Sequence, residues 1–367
     1  MKTVSASPHI ASKNSTRRIM IDVLIALCPC VIAACVFYGY HVVINLVVCL
    51  AFCFGAELLY NLIIGKKWNA EGVKNASVKD LSFAVTAVIL TLNLPAVMPV
   101  SKWGMTAVGK NGSVVFSFDT VVLCALASIF AIMLVKMLFG GIGKNFANPA
   151  CTGRIFLFIA FGGAGAFGLT SSLFGSGMAA TGATWLGKRT SVTGAMLLDM
   201  FLGNVATAAV GETCVIAILA GYVYLSARKV IDPRVPLMVI GSLALFAFLF
   251  DVVPSGARGI SMLYETLAHV LSGGLLFGAV FMATDYATTP NTFAGSVIFA
   301  VGVGLITALI RAFGAFPEGF SFALLVMNIA TPLIDKYVVP KPFGYVKPIK
   351  QKKRRGKGGE KAVSGNE

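Results

Sequence analysis

The chain alternates long apolar runs with short polar or charged stretches, and this alternation is its most regular feature. A helix that spans a bilayer needs about 20 predominantly apolar residues. Ten stretches approach that length, so the pattern predicts an all-α polytopic membrane protein with about ten transmembrane helices. The predicted spans begin near Ile19, Val42, Leu81, Val114, Arg154, Val205, Val235, Ile260, Ser296 and Phe320.

Two of these spans are weaker than the rest, because Pro95 interrupts the third and the glycine-rich stretch 162–165 interrupts the fifth. The ends of the fourth and ninth spans share a short similarity. Leu134-Val135-Lys136 precedes Phe139-Gly140-Gly141, and Leu309-Ile310-Arg311 precedes Phe313-Gly314-Ala315. Units offset by five spans have opposite orientations, so two inverted five-helix repeats would explain this similarity. Chance similarity between short apolar strings is the alternative.

Composition supports a membrane location, since 57% of the 367 residues are hydrophobic and 12% are charged. A soluble domain carries about 25% charged residues, so the apolar surplus must face lipid. The net charge of +15 is concentrated in the C-terminal tail, where a basic run is most simply an anchor against anionic lipid rather than a nucleic-acid site. The polar start shows no signal-peptide cleavage pattern. We therefore expect a cytoplasmic N-terminal segment (1–18), a transmembrane domain (19–340) and a basic cytoplasmic tail (341–367).

The positions of the basic residues predict the orientation. With both termini in the cytoplasm, 24 of the 30 Lys and Arg residues fall on the inner side. Without the ten at the C-terminal end, 14 inner residues still oppose 6 outer ones. This bias follows the positive-inside rule and indicates a multi-pass protein of the cell (inner) membrane with cytoplasmic termini.

Four segments are too polar or too glycine-rich for plain lipid-facing helix. They are Phe139–Pro149, the predicted outer loop Phe174–Leu186, Gly203–Glu212 and Met282–Pro290. Irregular backbone at membrane depth persists where protein or a cavity satisfies it, so these segments are candidate ligand edges or simple helix breaks. Acids in or beside spans are candidates for ion passage, with structural helix ends as the alternative. These acids are Glu57, Asp119, Glu212, Glu265 and Asp285.

Several chemistries find no support in the chain. The eight cysteines form no C-x-x-C pair, and most lie in apolar runs as small hydrophobic residues do. Only three histidines are present, which makes bis-histidine haem ligation improbable. No phosphate-binding loop or G-x-S-x-G motif occurs. Any redox or transport chemistry therefore requires partners.

A series of ordered motifs resembles the RnfD family of Rnf-type ion-translocating complexes, which is related to NqrB of sodium-pumping quinone reductases. The motifs run over nearly the whole chain and include Ser7–Ile10, Arg17–Asp22, Phe139–Pro149, Gly211–Thr213, Arg228–Val230, Gly273–Gly278, Met282–Asp285, Phe316–Gly319 and Ser321–Ala323.

The resemblance implies FMN joined through its phosphate to the last residue of Thr181-Gly182-Ala183-Thr184, which is Thr184. It also implies a second, noncovalent riboflavin, which we expect near Asn145 and Asn148. The implied partners are an external flavin subunit, iron–sulfur membrane subunits, a flavin transferase and the lipid bilayer, with no nucleic acid. The implied function is a membrane electron relay, inactive alone, in a complex that couples electron transfer between ferredoxin and NAD to movement of Na+ or H+.

Two alternatives remain at this stage. An NqrB-like chain would serve a quinone acceptor, although such chains usually carry a longer N-terminal extension. A flavin-free channel or transporter would also suit an inverted repeat with breaks near the membrane midplane. Flavin content separates the channel from the redox proteins, and the electron acceptor of the intact complex separates the other two.

Overall fold

The structure is a computed structural model that describes residues 15–65, 77–98, 103, 106–108, 114–162, 186, 192–203, 209–256, 258–314 and 319–339. Helices dominate these residues, which confirms the predicted helical fold. In chain order the α-helices are α1 Thr16–Tyr38, α2 Tyr40–Gly65, α3 Ser82–Asn93, α4 Phe118–Ile129, α5 Pro149–Phe161, α6 Gly194–Leu202, α7 Val215–Ala227, α8 Arg234–Ala247, α9 Ile260–Leu271, α10 Leu275–Phe281, α11 Phe293–Phe313 and α12 Phe320–Tyr337.

Two helices continue as π-helix, α4 through Phe130–Met137 and α8 through Phe248–Val252. Short 3-10 turns at Ser77–Asp80 and Val210–Glu212 precede α3 and α7. A two-stranded antiparallel hairpin, β1 Thr106–Val108 and β2 Val114–Ser117, leads into α4. The fourth span, predicted to start near Val114, begins as a helix at Phe118, where Ser117 caps it.

Five helices of the described residues are long and apolar enough to cross a membrane: α1, α2, α4, α8 and α11, with α4 and α8 counted together with their π-helical continuations. The pair α9 and α10, bent by 50° at its break, makes a sixth if it counts as one span. Three apolar helices, α3, α5 and α7, are shorter. The count of ten spans thus stays a prediction, and the predicted start near Val205 lies outside the described residues.

Sequence explains why two of the predicted spans are short. Helix α3 ends at Asn93 because Pro95 follows closely and disfavours helical backbone before it. Helix α5 begins at Pro149, where a missing N–H costs nothing, and Asn148 caps its first turn. The break between α9 and α10 lies at Gly273 and Gly274, whose φ angles of 70° and 71° suit glycine.

Helices α8 and α11 pack closely against each other. The Ser242 hydroxyl on α8 donates to the Ala300 carbonyl on α11 across 3.1 Å. Gly304 makes this close approach possible, because a Cβ atom there would meet the Leu243 nitrogen at 2.7 Å as well as the Ser242 side chain.

We expect Gly304→Val to lower the free energy of unfolding by about 1–3 kcal/mol, since overpacking forces the two helices apart. Thermal unfolding of the detergent-solubilised protein measures this change. Gly241→Val on α8 is the matched control, because a Cβ atom at Gly241 meets nothing within 4 Å. Equal melting temperatures for both variants would contradict the close approach at Gly304.

Candidate functional site

A pocket lies between α1, α3, the segment that precedes α5 and the connection that follows α10. The space within it that a water-sized sphere can enter is about 100 Å³, and all the empty space up to and including its open mouth is about 740 Å³. The polar part of its lining comes from Ser82, Thr86, Lys136, Asn145, Asn148, Thr284, Asp285 and Tyr286. The apolar part comes from Met20, Val23, Val85, Ile89, Ile142, Pro149, Ala150, Val230, Ile231, Phe281 and Ala287.

The two asparagines predicted from the sequence both line this pocket, but their amide oxygens differ in hydrogen bonding. The Asn148 Oδ1 atom accepts from the backbone nitrogens of Ala150 at 3.1 Å and Cys151 at 3.2 Å, which caps α5. The Asn145 Oδ1 atom is buried and has no hydrogen-bond partner within the described part of the chain. A buried amide oxygen without a partner is costly, so Asn145 is suited to accept from an N–H group of a ligand.

Asp285 joins these amides from the other side of the pocket. The Asn148 Nδ2 group donates to its Oδ2 atom at 3.5 Å, and the Ala287 nitrogen donates to its Oδ1 atom at 3.3 Å. Asp285 lies in the connection between α10 and α11, outside the spanning helices. Burial raises the pKa of its carboxyl, while the hydrogen bonds from Ala287 and Thr288 oppose that rise. The pocket thus combines an amide edge, a carboxyl group and apolar walls.

A buried ion pair borders the same pocket. Lys136, in the π-helical end of α4, places its Nζ atom 2.5 Å from Glu57 Oε2 and 2.5 Å from Ser82 Oγ. The side chains of Lys136 and Glu57 are 3% and 0% exposed. The Glu57 ion pair ties α2 to α4, and the role of Glu57 in ion passage stays a prediction.

Two further clusters of buried charge lie beyond the pocket. Arg154 Nη1 is 3.5 Å from Glu212 Oε1 and donates to Asn93 Oδ1 at 3.3 Å. Arg311 donates to the carbonyl oxygens of His269, Ser272 and Gly273 at 2.6, 3.0 and 3.2 Å, which secures the break between α9 and α10. His269 Nε2 lies 3.1 Å from Asp251 Oδ2 in the π-helical end of α8.

The remaining predicted residues are not part of this pocket. Glu265 accepts from the Ser255 hydroxyl at 3.1 Å, and Asp119 is buried in the first turn of α4. Glu212 belongs to the Arg154 cluster. The predicted attachment residues Thr181, Gly182, Ala183 and Thr184 lie outside the described residues. Leu186 is described; it is buried and packs against Gly273.

Sequence reasoning missed the basic partners Lys136, Arg154 and Arg311 as functional neighbours, although it counted them for orientation. The sequence does contain an indication of these pairs, namely basic residues inside apolar runs. A basic residue inside an apolar run cannot stay unpaired in a low-dielectric interior, so it implies an acid or a set of carbonyl groups opposite it. Which acid pairs with which base depends on helix packing, which the sequence alone does not give.

Comparison with known proteins agrees with the resemblance. The family model described as "NQR2, RnfD, RnfE family" matches residues 3–344. The chain is 35% identical to the D-type subunit of the Na(+)-translocating ferredoxin:NAD(+) oxidoreductase complex of Acetobacterium woodii, over 96% of this chain and 98% of that protein.

Two further relatives show similar coverage. The chain is 32% identical to the D-type subunit of the proton-translocating ferredoxin:NAD(+) oxidoreductase complex of Clostridium ljungdahlii, over 93% of this chain and 96% of the relative. It is 30% identical to the D-type subunit of the ion-translocating oxidoreductase complex of Marinobacter nauticus, over 96% of each. The chain therefore belongs to the NQR2, RnfD, RnfE family.

Proposed function

We propose that this chain is the membrane electron-relay subunit of an Rnf-type complex that couples electron transfer between ferredoxin and NAD to ion translocation. The observation that carries the proposal is the pocket with the buried Asn145 oxygen, which has no hydrogen-bond partner among the described residues, in a chain whose relatives are named as subunits of ion-translocating oxidoreductase complexes. The ion is Na+ or H+, since the two relatives named for ferredoxin and NAD differ on this point. Like them, this subunit works as part of a larger complex.

We assign to this pocket the noncovalent flavin that the family resemblance implies, riboflavin. The Asn145 oxygen is available to accept from a ring N–H, and Asn148 and Asp285 supply a polar edge beside it. Ile142, on the same segment, and Phe281 contribute apolar walls against which a planar ring would pack. A bound flavin would supply one- and two-electron chemistry, while the protein binds it, orients it and limits its access to water.

A second flavin, FMN, would be attached through its phosphate to Thr184. The support is the Thr181-Gly182-Ala183-Thr184 motif, which the family resemblance implies as the attachment site.

We place both termini in the cytoplasm, because 24 of the 30 basic residues then lie on the inner side. In this orientation the riboflavin pocket lies at the cytoplasmic end, and Thr184 lies on the outer side, where a flavin transferase and an external flavin subunit would meet it. Iron–sulfur membrane subunits would carry electrons between the two sides. A quinone as final acceptor is the second candidate, because the family model also covers the NQR2 branch; the acceptor used by the intact complex distinguishes the two.

The two halves of the chain would be inverted repeats, as the motif after the fourth and ninth spans predicts. The support is a pair of similar tertiary contacts. Lys136, near the end of one span, donates to Ser82 at the start of α3. Arg311, near the end of another span, donates to the carbonyl groups that precede α10. In both cases a residue with positive φ stands just before the contacted helix, Leu81 at 60° and Gly274 at 71°.

We expect Asn145→Ala to weaken binding of the noncovalent flavin about tenfold, since one hydrogen bond to a buried acceptor is lost. Titration of the flavin-depleted complex with riboflavin, followed by quenching of flavin fluorescence, measures the change. Asn291→Ala is the matched control, because Asn291 bonds Asp335 outside the pocket. Equal affinity in the Asn145 and Asn291 variants would contradict the assignment of the flavin to this pocket.

A further inference from the structure

Two charged side chains, Lys136 and Asp285, are among the described lining residues of the pocket. Lys136 is the one Lys or Arg among the described lining residues, and its ammonium group is 2.5 Å from the Glu57 carboxylate. Glu57 is fully buried behind it. The pair is therefore neutral as a unit, and its positive charge is already cancelled before a ligand arrives.

Asp285 adds a negative charge that no cation among the described lining residues offsets. Its oxygens accept hydrogen bonds from three neutral groups, which are the Asn148 amide, the Ala287 nitrogen and the Thr288 hydroxyl. This is the environment of a carboxylate that accepts hydrogen bonds. Among the described lining residues, the charge left without a counter-ion is therefore negative.

The N-terminus of α5 also borders the pocket, and a free helix N-terminus attracts anions. Here Asn148 Oδ1 already accepts from the Ala150 and Cys151 nitrogens, so its first donors are occupied. A phosphate monoester carries a charge of about −1.5 to −2 at neutral pH and needs cations or free N–H groups. The one cation of the described lining is Lys136, and the Glu57 carboxylate already balances its charge.

We propose that Glu57 and Asp285 make this pocket selective for a flavin without a phosphate, Glu57 by cancelling the charge of Lys136 and Asp285 by repelling the anion. This proposal rests on the proposed function, in which the pocket holds a flavin. It assigns Glu57, which is not a lining residue, as the specificity-determining residue that excludes FMN and admits riboflavin. Lys136 keeps N–H groups to donate to an uncharged ligand but contributes no net charge.

The test compares riboflavin and FMN as noncovalent ligands of the whole purified complex. Acid precipitation removes covalent flavin with the chain, so chromatography of the supernatant identifies the noncovalent flavin in the wild type. The flavin-depleted complex is then titrated with each flavin, and the ratio of the two dissociation constants is compared among variants. We expect Glu57→Gln and Asp285→Asn each to shift this ratio toward FMN about tenfold, and the double variant to shift it further.

Glu265→Gln is the matched control, because it removes the same charge from the chain away from the pocket, where Glu265 bonds Ser255. We expect its ratio to equal that of the wild type. If Glu57→Gln fails to assemble, Asp285→Asn carries the test alone, since Asp285 is partly exposed. FMN in place of riboflavin in the wild-type supernatant, after correction for other flavin subunits, or an unchanged ratio in variants that still bind riboflavin, would overturn this proposal alone. A wild-type complex without any noncovalent flavin would instead overturn the pocket assignment on which the proposal rests.

Discussion

Replacing Thr184 with valine is expected to abolish covalent flavin on the chain. A phosphoester needs the threonine hydroxyl oxygen, and valine has nearly the same shape without it. The measurement is in-gel flavin fluorescence of the denatured chain, made with and without its flavin transferase. The wild type should fluoresce only with the transferase, and Thr184→Val should show no band under either condition.

Thr181→Val is the control within the same motif. It removes a hydroxyl three residues earlier in the chain and should keep the fluorescent band if Thr184 is the attachment residue. A band that persists in Thr184→Val, or that disappears in Thr181→Val alone, would contradict the assignment. Absence of a band in the wild type despite an active transferase would favour the flavin-free channel.

Lys136→Met is expected to lower the free energy of unfolding by about 3–5 kcal/mol, the cost of leaving one partner of a buried ion pair without the other. Glu57 is fully buried, and Lys136 is its ion-pair partner at 2.5 Å. Ser82 also loses its contact with the ammonium group. Denaturation of the detergent-solubilised protein, followed by circular dichroism, measures the change.

Two further variants distinguish the loss of the buried ion pair from the loss of a lysine charge elsewhere in the chain. Lys144→Met removes an exposed lysine and should change stability by less than about 0.5 kcal/mol. Glu57→Gln combined with Lys136→Met removes both charges and should recover much of the lost stability, because burying a neutral pair costs little. A single Lys136→Met variant as stable as Lys144→Met would contradict a buried ion pair at this position.

Much of the helical architecture follows from local features of the sequence. Apolar runs such as those of α1 and α2 exceed the length that a bilayer requires, so their helical state is fixed by composition. Pro95 and Pro149 set the ends of α3 and α5 because proline acts on its own neighbours. The hairpin before α4 was not predicted, since its four-residue strand is apolar like the helix that follows.

The candidate site was predicted in part. The asparagines stood out because an amide-rich, glycine-rich stretch is unusual between spans, and the structure brings Asn145 and Asn148 to the same pocket as Asp285. The pairing of Lys136 with Glu57 joins residues 79 positions apart. Such contacts depend on which helices pack together, and short apolar motifs carry too little information to decide that.

The flavin content of the purified chain tests the central claim most directly. The complex is denatured with acid, and flavin is quantified in the precipitate and in the supernatant relative to the amount of this chain. An electron relay of the proposed kind predicts one covalent FMN in the precipitate and one riboflavin in the supernatant for each chain, after correction for other flavin subunits. A chain with flavin in neither fraction, isolated with its transferase present, would contradict the proposed function and leave a channel or transporter.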